Sequence, residues 1–384
     1  MMAQRDNCAM DLTQALPLLG GMSPQQFMRR HWQKKPLLVR QATTAPPALV
    51  TRSEMFALAA RDDVESRLIQ CDGQGRWTLR HGPMPRRALP PLAQPGWTLL
   101  VQGLDLHVDA AHELLSQFRF VPAARLDDLM LSYASDGGGV GPHTDSYDVF
   151  LLQVHGQRRW RVGRAGTARL RDDVPLKMLT GFEPERDWLL GPGDMLYLPP
   201  GWAHDGVAVG GDCMTASIGF RAPRADELAQ ALLARLADVA PLSDRAARYR
   251  DAAQGASSTP GAVPAALQGF AHRALARALA DPLAVQRTLG EWLTEPKAQV
   301  WFEAATVQNI DSGVQLDRRT RMAYDDRHIF INGESLRAAG RDARLMRALA
   351  DWRRLDAQAV RQASPAARVA LREWLANGWL QATV

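Results

Sequence analysis

Two kinds of periodicity divide this chain. Between residues 129 and 220 the apolar positions come in short runs broken by Gly and Pro turns, whereas beyond Pro223 they recur every three or four residues. The first pattern predicts strands and the second amphipathic helices. Ahead of both, Ser23-Pro24-Gln25-Gln26 predicts a helix start, with Ser23 as the cap, Pro24 at the first helical position and Gln26 closing a capping box. That helix carries Phe27 and Trp32 and stops at Lys34-Lys35-Pro36, before a strand-like Leu37-Leu38-Val39 suited to bracing the outside of a barrel. Strands are expected at 67–70, 77–80 and 97–101, a helix at 112–118, and loops at Pro46-Pro47 and Pro90-Pro91.

Strand signals then follow one another closely. Residues 130–134 read as a strand, Gly137-Gly138-Gly139 as a loop, and 143–154 as a strand pair or one bent strand. His155-Gly156-Gln157 is a tight turn into a return strand, 158–162. After an insertion over 164–189, Gly193-Asp194 turns the chain into 195–198, and 214–220 is the last strand. Many short strands joined by such turns predict an α+β chain built on a double-sheet jelly-roll barrel, whose mouth is a natural ligand site.

Helices are expected at 225–239, 264–280 and 282–293, around a flexible stretch at 256–260. Their apolar faces need a partner, for which a second copy of the chain is the candidate. The tail reads as a winged-helix unit. Its strand at 328–331 ends at Asn332-Gly333, one helix spans 342–355, a second runs from Ser364-Pro365 to Asn377-Gly378, and a wing strand begins at Trp379-Leu380. The predicted domains are therefore 1–223, 224–305 and 306–384.

Composition narrows the classes. The 384 residues carry a formal charge of +5, and from residue 306 onward 13 Arg and no Lys stand against 9 Asp and Glu, a net +4. That basic tail is either a solvated face or a surface for nucleic acid or an RNA-rich particle. Three dispersed cysteines, Cys8, Cys71 and Cys213, contain no CxxC pair and argue against a disulfide framework, which fits a cytoplasmic setting. No leader-like start and no uninterrupted apolar stretch of about 18 residues is present, so neither secretion nor membrane insertion is expected.

The candidate chemistry lies in two segments. His143 and Asp145 are two apart, which puts both side chains on one face of an extended strand, and His204 follows a second turn-and-strand signal, Gly193 to Ala203. Two imidazoles and a carboxylate are the set that holds non-haem Fe(II) with open positions. Arg158 offers a charged fork for the far carboxylate of a chelating keto diacid, and Ser132 a hydroxyl. The alternative is an outward-facing basic strand surface made of Arg158, Arg159 and Arg161. Asp136, Asp148 and Asp205 are candidates for an acidic patch near the mouth, and Arg221 for its entrance. His155 belongs to a turn, and the other six histidines are read as structural or surface groups.

These residues resemble a known family. Gly-Gly-Gly-Val-Gly-Pro-His143-Thr-Asp145, Arg158-Arg159-Trp160-Arg161-Val162, Gly193 to His204, Trp32-Gln-Lys-Lys-Pro and Gly219-Phe-Arg-Ala-Pro223 are similar to the bacterial ribosomal oxygenases of the JmjC type, members of the cupin superfamily. The resemblance implies Fe(II) held by His143, Asp145 and His204, and 2-oxoglutarate contacted by Arg158 and Ser132. With O2 as oxidant, it implies 3-hydroxylation of an arginine in large-subunit ribosomal protein sixteen. It also implies a homodimer formed through the 224–305 helices. Three rival functions stay open: histidine hydroxylation of another ribosomal protein, JmjC demethylation, and non-enzymatic nucleic-acid binding through the tail.

Overall fold

In the computed structural model, the described residues are 11–239, 247–252, 255–256, 259, 261–304 and 309–383. Cys8, most of the stretch at 256–260 and the predicted boundary at 305–306 lie outside them. The chain divides into two compact units, residues through Ala222 with Ala298–Trp301, and Pro223–Lys297 with Phe302–Val384.

Among its described residues the first unit carries fourteen strands: β1 (Leu37–Val39), β2 (Ser66–Cys71), β3 (Trp77–His81), β4 (Trp97–Val101), β5 (Leu126–Ala134), β6 (His143–Thr144), β7 (Val149–His155), β8 (Arg158–Arg164), β9 (Arg169–Leu170), β10 (Leu179–Thr180), β11 (Arg186–Leu190), β12 (Met195–Leu198), β13 (Trp202–Ala208) and β14 (Cys213–Phe220). Eight of them form one sheet in the order β1-β12-β7-β14-β5-β4-β2-β3, and four form the facing sheet β11-β8-β13-β6. This is the expected jelly roll, and the stretch 143–154 enters it as two separate strands, β6 and β7, one in each sheet.

Burial on two faces explains why β7 reads as an unbroken apolar run instead of an alternating one. Val149 and Leu151 point between the sheets, toward Trp160, Val162, Leu196 and Leu198. Phe150 and Leu152 point the other way, into a core shared with Phe27, Tyr197 and Phe220. Among the described residues of this unit the α-helices are α1 (Pro24–Arg30), α2 (Arg52–Ala59) and α3 (Asp109–Ser116). The Ser23/Gln26 capping box is formed, and the helix ends at Arg30, so Trp32 lies past its end. Phe27 and Tyr197 still meet edge to face at 4.9 Å, and Trp32 meets Phe220 at 5.0 Å, fixing the brace to the barrel.

The second unit contains α4 (Ala225–Val239), α5 (Ala265–Ala278), α6 (Pro282–Thr294), β15 (Gly313–Leu316), β16 (Met322–Tyr324), β17 (Ile329–Ile331), β18 (Glu334–Leu336), α7 (Gly340–Trp352), β19 (Arg354–Asp356), α8 (Ala357–Gln362), α9 (Pro365–Ala376) and β20 (Leu380–Ala382). Its core joins Val314, Ile331, Leu349, Leu371 and Trp374, and α6 packs on β16, β17 and β18. The Asn332-Gly333 turn has both residues left-handed, at φ 47° and 88°, as a two-residue hairpin turn requires. The helix expected over 342–355 stops instead at Trp352. Arg353 turns left-handed and its guanidinium donates to the Asp317 and Thr320 carbonyls at 2.7 and 3.1 Å, which frees Leu355 to enter β19. Among the described residues, no helix is long and apolar enough to cross a membrane.

Candidate metal centre and its cavity

Strand pairing builds the centre. Gly141, left-handed at φ 76°, turns the glycine-rich loop into β6, and a Cβ there would lie 2.4 Å from the Met178 methyl. β6 pairs with β13 in a register that sets His143 opposite His204. The backbone N–H of Gly201 donates to the Asp145 carbonyl at 2.8 Å, tying the end of β6 to the turn before β13.

His143, Asp145 and His204 converge, each offering one ligand atom within 4.8 Å of the others. His143 Nε2 lies 3.8 Å and His204 Nε2 3.6 Å from the Asp145 carboxylate, with the two imidazole centroids 4.2 Å apart. Each Nδ1 faces a backbone carbonyl, Gly141 at 2.9 Å and Trp202 at 3.0 Å. A carbonyl only accepts, so each Nδ1 carries the proton and each Nε2 presents a lone pair to the centre. Burial, with His143 alongside, pushes His204 down to about 4 against the opposing pull of Asp145. Neutral imidazoles and an ionised carboxylate are the donor set of a divalent metal.

A cavity of about 320 Å³ opens from these three residues, with Tyr147, Trp160, Ser132 and Arg158 among its walls. β8 alternates buried and exposed from Arg158 to Val162, which settles which arginine points in. Arg158 is 5% exposed, and its Nη1 donates to the Ser132 hydroxyl at 3.0 Å and the Thr215 hydroxyl at 3.3 Å. Its Nε has no partner, and among the described residues no carboxylate pairs with it. Arg159 faces outward toward Asp187 at 3.8 Å, and Arg161 pairs with Asp205. An inward cation left without an anion is costly unless a ligand brings one.

The acidic candidates are corrected by their burial. Asp148 is fully buried away from the cavity, accepting from the Tyr197 hydroxyl at 2.6 Å and Gln33 Nε2 at 3.1 Å, with Arg125 at 3.7 Å. Asp205 is consumed by Arg161, and Asp136 accepts from the Gly211 N–H at 3.2 Å in an exposed turn. Arg221 reaches Asp127 at 3.5 Å and does not line the cavity. The acidic wall is Asp127 and Asp128 instead. A signal for Asp128 was present: it precedes Ser132 by four positions on the same strand and so shares its face. Its carboxylate accepts from Gln102 Nε2 at 2.7 Å and the Gly103 N–H at 2.9 Å. Thr215 beside Arg158 was also missed, because only the pairing of β14 with β5 brings it opposite Ser132.

Comparison with known proteins gives this arrangement a context. The JmjC domain family matches residues 113–228, and the ROXA-like winged helix family matches residues 277–381. The chain is 40% identical over 203 residues to the ribosomal protein uL16 3-hydroxylase of Escherichia coli, covering 53% of each. It is 35% identical over 210 residues to a probable ribosomal oxygenase of Haemophilus influenzae, covering 54% of this chain and 52% of that one. The matched segment thus spans about half the length of these curated relatives. An X-ray structure of E. coli YcfD superposes with a TM-score of 0.79 at 28% identity, over 93% of this chain and 97% of that one. YcfD in complex with cobalt and 2-oxoglutarate superposes with a TM-score of 0.76 at 27% identity and the same coverage. A JmjC domain followed by a ROXA-like winged helix is the order of the two family matches, and the chain resembles the bacterial ribosomal oxygenases in both sequence and fold.

Proposed function

We propose that this protein is an Fe(II)- and 2-oxoglutarate-dependent hydroxylase of an arginine side chain in large-subunit ribosomal protein uL16. The observation that carries it is the convergence of His143, Asp145 and His204 at one part of a cavity that also holds the carboxylate-free cation of Arg158. When bound, Fe(II) with 2-oxoglutarate and O2 supplies the oxidising chemistry that side chains lack, yielding succinate and CO2 as one oxygen atom enters a C–H bond. The chain's own tasks are to hold, orient and exclude water.

His143, Asp145 and His204 cap one face of the metal and leave its other positions open. The carbonyls of Gly141 and Trp202 lock both imidazole tautomers, so the ligands are oriented before the metal arrives. Arg158 takes the far carboxylate of the cosubstrate, with Ser132 fixing the guanidinium. Trp160, whose ring lies 5.4 Å below that guanidinium, keeps water from it. A cationic target side chain suits the Asp127 and Asp128 wall, which favours arginine over histidine. No general base or nucleophile is required.

Within this reading residues 1–223 are the catalytic domain, 224–305 form a homodimer and 306–384 dock the ribosomal protein in the cytoplasm. Leu267 and Leu275 on α5 and Leu233 on α4, at 38%, 62% and 50% exposure, are the apolar surface that a second copy would cover. A single monomeric mass in sedimentation at micromolar concentration refutes the dimer.

The test is anaerobic loading with Fe(II) and 2-oxoglutarate, exposure to air with purified uL16, and mass spectrometry of its peptides. One oxygen added to an arginine, dependent on 2-oxoglutarate, is the expected result. Succinate without a modified peptide discards the substrate, loss of a methylene from a methylated residue replaces the hydroxylase by a demethylase, and no succinate overturns the enzyme reading.

A further inference from the structure

Next to the Thr215 hydroxyl that Arg158 contacts lies a buried polar residue that is not among the walls of the cavity. Gln153, on β7, is fully buried. Its amide Nε2 donates to two backbone carbonyls, His155 at 2.8 Å and Gly156 at 3.3 Å. Both belong to the tight turn that leads into β8 and hence to Arg158. Gly156 is left-handed there, at φ 62°, and a Cβ would lie 2.1 Å from the Asp212 carbonyl, so the turn has one conformation. Because carbonyls only accept, the amide nitrogen must face the turn and Oε1 must face β14.

On β14, Oε1 accepts the hydroxyl proton of Thr215 at 2.8 Å. A threonine hydroxyl has one proton, and once it is committed to Gln153 only lone pairs remain for Arg158 Nη1. Ser132 is poled the same way, since its hydroxyl donates to the Thr215 carbonyl at 3.2 Å. Two hydroxyls that can only accept hold one Nη1, and the guanidinium is fixed with Nε left for an incoming anion.

We propose that Gln153 is a positioning residue of the carboxylate clamp, orienting the Thr215 hydroxyl so that Arg158 presents its remaining donors to the far carboxylate of a keto diacid. The inference rests on the functional reading above. It adds Thr215 to the clamp and makes Gln153 the residue through which the β7–β8 turn, β14 and Arg158 are kept in mutual register.

The experiment is calorimetric titration of 2-oxoglutarate into the full-length protein loaded with a redox-inert divalent metal, alongside steady-state kinetics with Fe(II). Removing one hydrogen bond to a charged group predicts that Gln153→Met and Thr215→Val each raise the Kd by about tenfold. They raise the KM for 2-oxoglutarate in parallel and leave kcat at saturation within about twofold. Thr215→Ser, which keeps the hydroxyl, retains wild-type affinity. The double variant is no weaker than Thr215→Val, because Gln153 acts through that hydroxyl. Additive losses in the double variant, or an unchanged Kd in a folded Gln153 variant, overturn the proposal. If Gln153→Met does not fold, Thr215→Val carries the test by itself, since it removes the hydroxyl that Gln153 orients, and an unchanged Kd there overturns the proposal equally. A wild-type protein that binds no 2-oxoglutarate refutes the functional reading instead, so the two failures are distinct.

Discussion

The barrel and the winged-helix unit differ in where their polar groups converge. In the second unit they close on one another: Asp317 is gripped by Arg319 at 2.7 Å, Arg353 caps two backbone carbonyls, and the Asp342 carboxylate accepts the Ser364 N–H at 3.2 Å. In the barrel Asp148 and Asp205 close in the same way, but the set around the cavity stays open. Two imidazole lone pairs, one carboxylate and one guanidinium face it with no partner that neutralises them all. Satisfied polar networks specify a fold, whereas convergent unsatisfied ones mark where a ligand completes the structure. The difference places the open, ligand-seeking groups in the barrel, which is where the proposed chemistry has to be tested.

That comparison breaks first at the proposed metal ligands. Asp145→Ala is expected to lower succinate formation by at least about 100-fold while leaving the thermal midpoint unchanged or raised, since a carboxylate held for a metal adds little to folding. Retained turnover would remove the metal centre from the mechanism. Arg158→Met comes next, with a rise of about 100-fold in the KM for 2-oxoglutarate, because a desolvated charge pair is lost. The same change at Arg159, one position along and facing out, should stay within about twofold. Equal effects at both positions would contradict the inward assignment.

Structural polar groups should respond in stability and not in binding. Asp148→Ala leaves the Tyr197 hydroxyl without its acceptor at 2.6 Å and is expected to cost about 1–3 kcal/mol in denaturant unfolding, with the KM for 2-oxoglutarate unchanged. The smallest effect is one of pH. Burial pushes the Asp317 carboxyl up, but the Arg319 guanidinium and backbone N–H outweigh it, so the group sits below its usual 3.8. A depressed carboxyl contributes stability above its unfolded value that is lost as pH falls through the folded one. Thermal melts from about pH 5 downward should show the wild type losing this increment, and Asp317→Asn showing a flatter decline. Identical slopes would mean that the ion pair contributes nothing.

Several elements were legible in the residues because their signals are local. The Ser23 capping box, the Asn332-Gly333 turn and the α9 start at Ser364-Pro365 each depend on neighbours within a few positions. Boundaries failed where tertiary contacts decide them. Arg353 ends α7 because carbonyls from another part of the unit receive its guanidinium, and α8 is too short to establish a period.

What the sequence determined by itself is the donor chemistry: His143 and Asp145 on one face by their spacing, and Arg158, Trp160 and Val162 sharing a face by alternation. Alternation has no inside or outside, so which face turns in was decided only when Trp160 and Val162 packed against Val149, Leu151, Leu196 and Leu198 of the other sheet. The same holds for acids. Asp148 and Asp205 look like solvent-facing residues in the chain, and burial against Tyr197 and Arg161 removes them from the site, while the register of β5 brings Asp128 into it. Spacing along a strand fixes which side chains travel together, and only the packing of one sheet on the other fixes what they meet.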